Sequence, residues 1–331
     1  MVSELKPGQI DAGVVGLGLM GTSIVVALLA AGHRVKAIAP IPQDELNAIK
    51  RITEHLEACA KLNILQQPIQ AYLSRLTVSM DYNELKYCGI VQECVIEQLG
   101  IKKEVYQKIT DVVSENTVIC SNTSAIPIST LQQHIKNPER FMGIHWAEPA
   151  FATRFLEITC GKETNPDQAK RMCRLAHYWA KEPTFLKKDI RGFVTNRLMY
   201  AVYREALSIV EKGDATLEDA DKAFQYDAGS WMTMMGIFRR MDFEGLKDHQ
   251  RALENIIPSL SNRADVPLVM QRMVDLGARG IHNQSGLYHY STEESAQWES
   301  AFAAFNKDIY ELAKLYPADV VDTKLNKKNH D

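Results

Sequence analysis

The stretch MGIHWAEPAFATRFLEIT, residues 142–159, sets an imidazole in one short apolar run and a carboxylate in the next. His145 lies in Phe141–Trp146 and Glu157 in Phe155–Thr159, with a Pro-bearing connection between them. Both runs have the length and β-prone composition of a strand, so a tight connection can bring together side chains that are twelve positions apart. An imidazole beside a carboxylate is a means of taking a proton from a hydroxyl. The histidine accepts it near neutral pH, while the carboxylate fixes the tautomer and stabilises the imidazolium. Ser124, in the loop SNTSAI, and Asn196, at the start of a long helix, are placed to hydrogen-bond a substrate oxygen. Each has a plainer reading when taken singly: a strand histidine is more often structural, Ser124 is a loop serine and Asn196 a helix-terminal asparagine.

The elements that must position these residues begin with GVVGLGLMG. A Val-rich strand runs into Gly16, Gly18 and Gly21, with Leu19 and Met20 between the last two. A helix is predicted from about Met20 to Ala31, then Gly32 as its cap and a strand over Arg34–Ala39. In a βαβ unit the first glycine allows the tight turn, the second lets backbone approach a pyrophosphate, and the third lets helix pack on strand. The alternative is a glycine-rich turn that binds nothing.

An amphipathic helix is predicted from Asp44 to about Asn63, with Leu46, Ile49, Ile52, Leu56 and Cys59 on its apolar stripe. Strands recur at 75–79, 88–95, 117–121, 141–146 and 154–159 and alternate with the helix KKEVYQKITDVVSE. That alternation predicts an α/β domain with a doubly wound sheet. From Gly192 onward the pattern is helical, with GFVTNRLMYAVYREALSIVEKG as one long helix. The boundary is set near Lys188, giving a dinucleotide-binding domain over 1–188 and an all-helical substrate and dimerisation domain over 189–331. TMMGIFRRM reads as helix-packing methionines and KLNKKNHD as a frayed tail. Ligands of open α/β sheets lie beyond the strand carboxyl ends, where Ser124, His145, Glu157 and Asn196 are expected to converge on the cleft between domains. The set suits hydride transfer between a secondary alcohol and a nicotinamide. A serine hydrolase is disfavoured, because no GxSxG elbow surrounds Ser124.

Composition points to a small partner. The 331 residues are 46% hydrophobic and 24% charged with a net charge of -3, so neither nucleic acid nor an anionic membrane finds an electrostatic footprint. No run approaches the ~20 apolar residues of a membrane span, and the first ten residues lack the order of a secretory signal, so a cytoplasmic protein is expected. Six cysteines, at 59, 88, 94, 120, 160 and 173, show no metal-ligand spacing and read as reduced core residues, with no metal expected.

Several motifs in one order, GVVGLGLMG, QECVIEQLGIKKEVY, SNTSAI, His145 with Glu157, GFVTNRL, EAL…VEKGDAT…DAD and SGLYHY, make the chain resemble the 3-hydroxyacyl-CoA dehydrogenase family over nearly its whole length. Its single-module layout is that of the lambda-crystallin branch. The resemblance implies NAD-linked oxidation of an L-3-hydroxy group on an acyl-CoA or a small 3-hydroxy acid. It makes His145 the base, Glu157 its partner, and Ser124 and Asn196 the substrate contacts. Glu97 and Lys102 would lie beside the cofactor ribose and nicotinamide, Asn122 and Glu148 would join the cofactor-binding set, and the helical domain would form a homodimer.

The chain departs from the family twice. Glu148-Pro149 stands where the family generally has Asn-Pro, adding a carboxylate that alters which substrate is tolerated. Ala39 stands where an acidic residue usually holds the adenosine ribose. The nearest following cations, Lys50 and Arg51, are about three helical turns on. Weak discrimination is therefore expected, with a lean to NAD that the family resemblance implies, NADP not being excluded. A 6-phosphogluconate-like β-hydroxyacid dehydrogenase shares GLGLMG…GHRV but would need a GGxxGA segment and a helical lysine that FVTNRLM lacks. A non-catalytic dinucleotide-binding structural or sensor protein is the alternative from another class.

Overall fold

A computed structural model describes residues 6–232 and 235–315. Part of TMMGIFRRM and all of KLNKKNHD lie outside the described residues. The chain divides after Val194 into two compact units.

The first unit opens with β1 (Ala12–Val15), α1 (Leu19–Ala31) and β2 (Val35–Ile38). Every residue of α1 from Gly21 to Leu29 is buried, as expected of a helix that is apolar on all sides. It ends at Gly32, whose φ of 108° is left-handed. The next helix, α2 (Pro42–Lys61), starts with proline in its first turn, where no N–H is missed, and buries Ala48, Ile52, Leu56 and Cys59. Leu46 and Ile49, expected on that stripe, are exposed. The stripe runs through Ala48, four residues before Ile52, and so leaves both leucine and isoleucine off its face.

The unit continues with α3 (Ile69–Leu73), β3 (Leu76–Ser79), β4 (Ile90–Glu93), α4 (Leu99–Val112), β5 (Val118–Ser121), α5 (Ile128–Gln132), β6 (Phe141–Trp146), β7 (Phe155–Thr159), α6 (Pro166–Tyr178) and β8 (Glu182–Leu186). The eight strands lie in the order β3-β2-β1-β4-β5-β6-β7-β8. All neighbours are parallel except β6 and β7, which are antiparallel. This is a Rossmann-like sheet whose order reverses between β1 and β4, where the crevice for a dinucleotide opens. Strand β4 is shorter than the apolar run 88–95, since Cys94 and Val95 leave the sheet towards α4. Strand β8 and helix α6 escaped the sequence reading. Pro183 lies within β8, and proline is tolerated there because β8 is the edge strand.

The second unit is helical. Helix α7 (Phe193–Lys212) runs into it and is followed by α8 (Leu217–Tyr226), α9 (Ala228–Met232), α10 (Ile237–Glu244), α11 (Leu246–Ile256), α12 (Leu268–Asp275) and α13 (Thr292–Leu315). Thr216 caps α8 by accepting the Asp219 N–H at 3.1 Å. None of α8 to α12 buries a residue. Among the described residues no helix is long and apolar enough to cross a membrane.

Candidate active site

Antiparallel pairing puts His145 directly opposite Glu157. Directly opposed residues project to one face of the sheet, and a slip of one residue would send them to opposite faces. Glu157 Oε2 lies 3.1 Å from His145 Nδ1, while Glu157 Oε1 accepts the Val194 N–H at 3.0 Å. Val194 belongs to the first turn of α7, so the carboxylate also meets the positive end of that helix. The His145 ring meets Phe155 edge-on, with centroids 5.5 Å apart, and leans on Phe193 at 5.9 Å. Glu157 is 1% exposed and the His145 side chain 16%. The bond to the carboxylate favours the tautomer with its proton on Nδ1, leaving Nε2 basic. Such an arrangement can take a proton and hold the resulting charge.

A second polar centre lies at the exits of β4 and β5. Glu93, wholly buried, receives the Val95 N–H and Lys102 Nζ on Oε1, each at 2.7 Å, and the Tyr106 and Ser121 hydroxyls on Oε2, also at 2.7 Å. Lys102 is 1% exposed, sealed between Glu93 and Glu97, whose Oε2 is 3.3 Å away. Burial drives the Tyr106 hydroxyl well above its ordinary pKa, and the Glu93 charge adds to this. Glu97 is the more open acid. Burial alone would raise its pKa, but hydrogen bonding from Thr123, the Lys102 charge and the Ala125 N–H together hold it low. Asn122 accepts the Trp146 N–H at 2.9 Å and so ties the β5 exit to β6, beside His145. Ser124 is exposed two residues further along this loop. Asn196 is half-buried in α7, on the second unit.

The connection from β6 to β7 carries Glu148. Its Oε2 is buried with no protein hydrogen-bond partner, and burial pushes the carboxyl up to about 7. The segment is held on two sides: the Ala150 N–H donates to Ser23 Oγ of α1 at 2.7 Å, and Lys181 Nζ donates to the Ala150 and Thr153 carbonyls. Lys181 is 2% exposed and lies over the Trp146 ring, 5.3 Å from its centroid. Burial lowers its pKa to about 7, helped by the Arg154 charge. Sequence reasoning missed Glu93, Ser23 and Lys181. The signal for Glu93 was available, since a charged residue inside the apolar run GIVQECV is rare without a partner.

The glycine turn has the shape a pyrophosphate needs. Gly16 has a φ of +97°, and a Cβ there would sit 2.8 Å from the Cys94 carbonyl carbon. A Cβ on Gly21 would come within 1.8 Å of the Gly16 carbonyl oxygen, so α1 packs against the turn only with glycine there. Around Gly18, the N-cap of α1, nothing lies within 4 Å of such an atom. The helix N-terminus is thus open to a phosphate at the residue that lets backbone approach it. Leu19 is exposed and Met20 partly buried in the first turn. Arg51 also reaches this turn: its Nη1 donates to the Leu17 carbonyl at 3.0 Å. Turns counted from Ala39 put Arg51 at a distance, yet its side chain reaches the carbonyl between the first two glycines. Among the described residues no group of three or more His, Cys, Asp or Glu could hold a metal ion.

Two family models match: 3-hydroxyacyl-CoA dehydrogenase, NAD binding domain, over residues 11–190, and 3-hydroxyacyl-CoA dehydrogenase, C-terminal domain, over residues 192–290. The chain is 31% identical over 286 residues to 5-formyl-3-hydroxy-2-methylpyridine 4-carboxylate 5-dehydrogenase of Mesorhizobium japonicum, covering 85% of this chain and 91% of that one. It is 32% identical over 248 residues to L-carnitine dehydrogenase of Oceanobacillus iheyensis, covering 75% and 80%. Among solved structures, a 5-formyl-3-hydroxy-2-methylpyridine 4-carboxylic acid 5-dehydrogenase described as an NAD+ dependent dismutase superposes with a TM-score of 0.86 at 28% identity, covering 92% and 98%. The (S)-3-hydroxybutyryl-CoA dehydrogenase of Ralstonia eutropha superposes with 0.71 at 26% identity, covering 85% and 99%.

Proposed function

The chain belongs to the 3-hydroxyacyl-CoA dehydrogenase family, an NAD-dependent oxidoreductase by that membership, and on that premise we propose that it oxidises the C3 hydroxyl of a small free 3-hydroxy acid in preference to an acyl-CoA thioester. The observation that carries the chemistry is the Nδ1 to Oε2 bond between His145 and Glu157. His145 Nε2 takes the hydroxyl proton, and Glu157 stabilises the imidazolium. NAD, held at the glycine turn, would supply the acceptor for the hydride that leaves the hydroxyl-bearing carbon. Ser124 holds the substrate oxygen, and Asn196 keeps the substrate-contact role that the family resemblance gives it; Glu97, Lys102 and Asn122 shape the cofactor side. The glycine turn, Gly16 to Gly21 with Leu19 and Met20, receives the pyrophosphate.

The choice of a free acid rests on Glu148. A carboxyl brought near neutrality by burial donates a hydrogen bond when protonated, and a substrate carboxylate is a suitable acceptor. The likeness to two dehydrogenases named for small substrates without a thioester supports the same choice. The test is a panel of free 3-hydroxy acids and 3-hydroxyacyl-CoAs, followed by absorbance of the reduced nicotinamide. A kcat/KM at least tenfold higher for a free acid is expected; preference for a thioester overturns the choice while leaving the dehydrogenase intact.

The helical part, taken from residue 189 on, is assigned to substrate binding and to homodimer formation. Phe238, Phe243, Leu246 and Leu276 remain exposed there, and apolar faces of this kind are covered by a second copy in obligate dimers. Light scattering on the full chain should give twice the 37.3 kDa chain mass.

A further inference from the structure

An NAD-dependent chain with Ala39 at the end of β2 still has to hold the adenosine ribose. Ala39 is wholly buried and offers only a methyl group. Three residues after it the chain enters α2, whose first turn carries Asp44. Asp44 Oδ1 lies 3.5 Å from Arg51 Nη1, the same nitrogen that donates to the Leu17 carbonyl at 3.0 Å. Leu17 sits between Gly16 and Gly18. One guanidinium nitrogen therefore joins the Asp44 carboxylate to the phosphate-binding turn.

The geometry has a local cause. Asp44 and Arg51 are seven apart, two turns along one helix face, and helical side chains lean towards the N-terminus, so Arg51 reaches back over the turn that bears Asp44. Both groups keep contact with solvent, their side chains being 22% and 39% exposed respectively. In sheets of this kind the adenosine half of the dinucleotide lies across the glycine turn and the end of β2.

We propose that Asp44 replaces the missing acidic residue of β2 as the acceptor for the adenosine ribose hydroxyls, and that Arg51 is its positioning residue. A carboxylate there accepts hydrogen bonds from a 2′-hydroxyl and repels a 2′-phosphate. Without Asp44, the partly exposed Arg51 guanidinium beside the glycine turn is left without its carboxylate and suits a phosphate. One residue thus sets the NAD preference that Ala39 does not. The pair concerns the cofactor alone and is independent of which alcohol is oxidised.

The experiment is titration of NADH and NADPH into the full-length protein, read by nicotinamide fluorescence and not by turnover. Four proteins are compared: wild type, Asp44→Asn, the double variant Asp44→Asn with Arg51→Gln, and Lys50→Gln as an exposed neighbour. Wild type should bind NADH more tightly than NADPH. Hydrogen bonds to a charged acceptor contribute about one to two decades in affinity, so Asp44→Asn should weaken NADH by about 10- to 100-fold. NADPH should hold or tighten, moving the NADPH-to-NADH ratio by at least tenfold. The double variant should lose the NADPH binding that Asp44→Asn retains, and Lys50→Gln should leave the ratio unchanged. The ratio is internal to each preparation, so partial unfolding, which lowers both affinities alike, does not mimic the effect. A ratio in Asp44→Asn within threefold of wild type overturns the proposal, as does an equal shift in Lys50→Gln.

Discussion

Glu93 and Glu157 are both strand glutamates at the heart of one sheet, 0% and 1% exposed, yet they are matched in opposite ways. Glu93 faces the Lys102 Nζ, 2.7 Å away, and takes two hydroxyls and an N–H besides. Glu157 faces an imidazole that is charged only after it has accepted a proton. A carboxylate whose two oxygens are already filled by four donors is scaffold: its hydrogen bonds are complete without any proton transfer. One matched by a histidine is an ion pair completed by the reaction itself, and its field favours the charged intermediate. Sealing divides the two in the same way. Lys102 is 1% exposed, whereas the His145 side chain keeps 16% of its surface.

The sharpest way to break this contrast is kinetic. Replacing a general base costs roughly 10²–10⁴ in turnover, so His145→Gln should fall by that factor with NADH affinity unchanged. Glu157→Gln should behave alike, and the double variant should be little worse than His145→Gln, because residues acting as a unit are not additive. Single-turnover rates with fluorescence titration of NADH decide the matter. Independent, multiplicative losses would make Glu157 an ordinary buried acid like Glu93.

Stability should then divide the two in the other direction. Glu93→Gln leaves the buried Lys102 with only the more open Glu97, 3.3 Å away, as its counter-charge, a loss of up to about 3–5 kcal/mol in urea unfolding. Glu157→Gln, facing an imidazole that can stay neutral, should lose about 1–2 kcal/mol. Equal losses would remove the distinction between scaffold and reacting pair.

Lys181 extends the scaffold side of the contrast to the connection that bears Glu148. Lys181→Met keeps much of the side-chain volume but leaves the Ala150 and Thr153 carbonyls without that donor, for a loss of about 1–3 kcal/mol. Its depressed pKa, about 7, means that the folded protein binds fewer protons here than the unfolded chain at pH between that value and 10.5. Wild-type stability from this group is full above the unfolded value and declines as pH falls towards 7; the methionine variant should lose that slope.

The smallest effect is expected at Glu148, on the reacting side. Its carboxyl is raised from 4.5 to about 7 by burial, so between those values the folded state holds a proton that the unfolded chain has released. Its contribution to stability is present below 4.5 and is lost as pH rises through 7. Glu148→Gln should flatten this part of the urea-midpoint profile and sit above wild type at pH 8. An unchanged profile would mean that the carboxyl is solvated.

How much was legible can be judged residue by residue. Gly16, Gly18 and Gly21 announced their turn because a glycine spacing between strand and helix reflects sterics within a few residues. His145 and Glu157 could be nominated from two β-prone runs. By contrast, α2 was found while Leu46 and Ile49 were put on the wrong face, since a small Ala48 in the buried stripe carries little hydrophobic signal. Strand β8 was hidden by Pro183, which weighs against a strand unless the strand is known to lie at an edge.

By itself the sequence determined the βαβ turn, the alternation of strands and helices up to β7 and the helical character of the chain beyond Gly192, because these rest on periodicity and backbone sterics between near neighbours. Tertiary structure alone decided that His145 stands opposite Glu157, that Lys181 reaches the Ala150 carbonyl and that Arg51 returns to the glycine turn. Each of these contacts depends on strand register or on the docking of elements 12 to 34 residues apart in the chain, and no local pattern encodes where such elements meet.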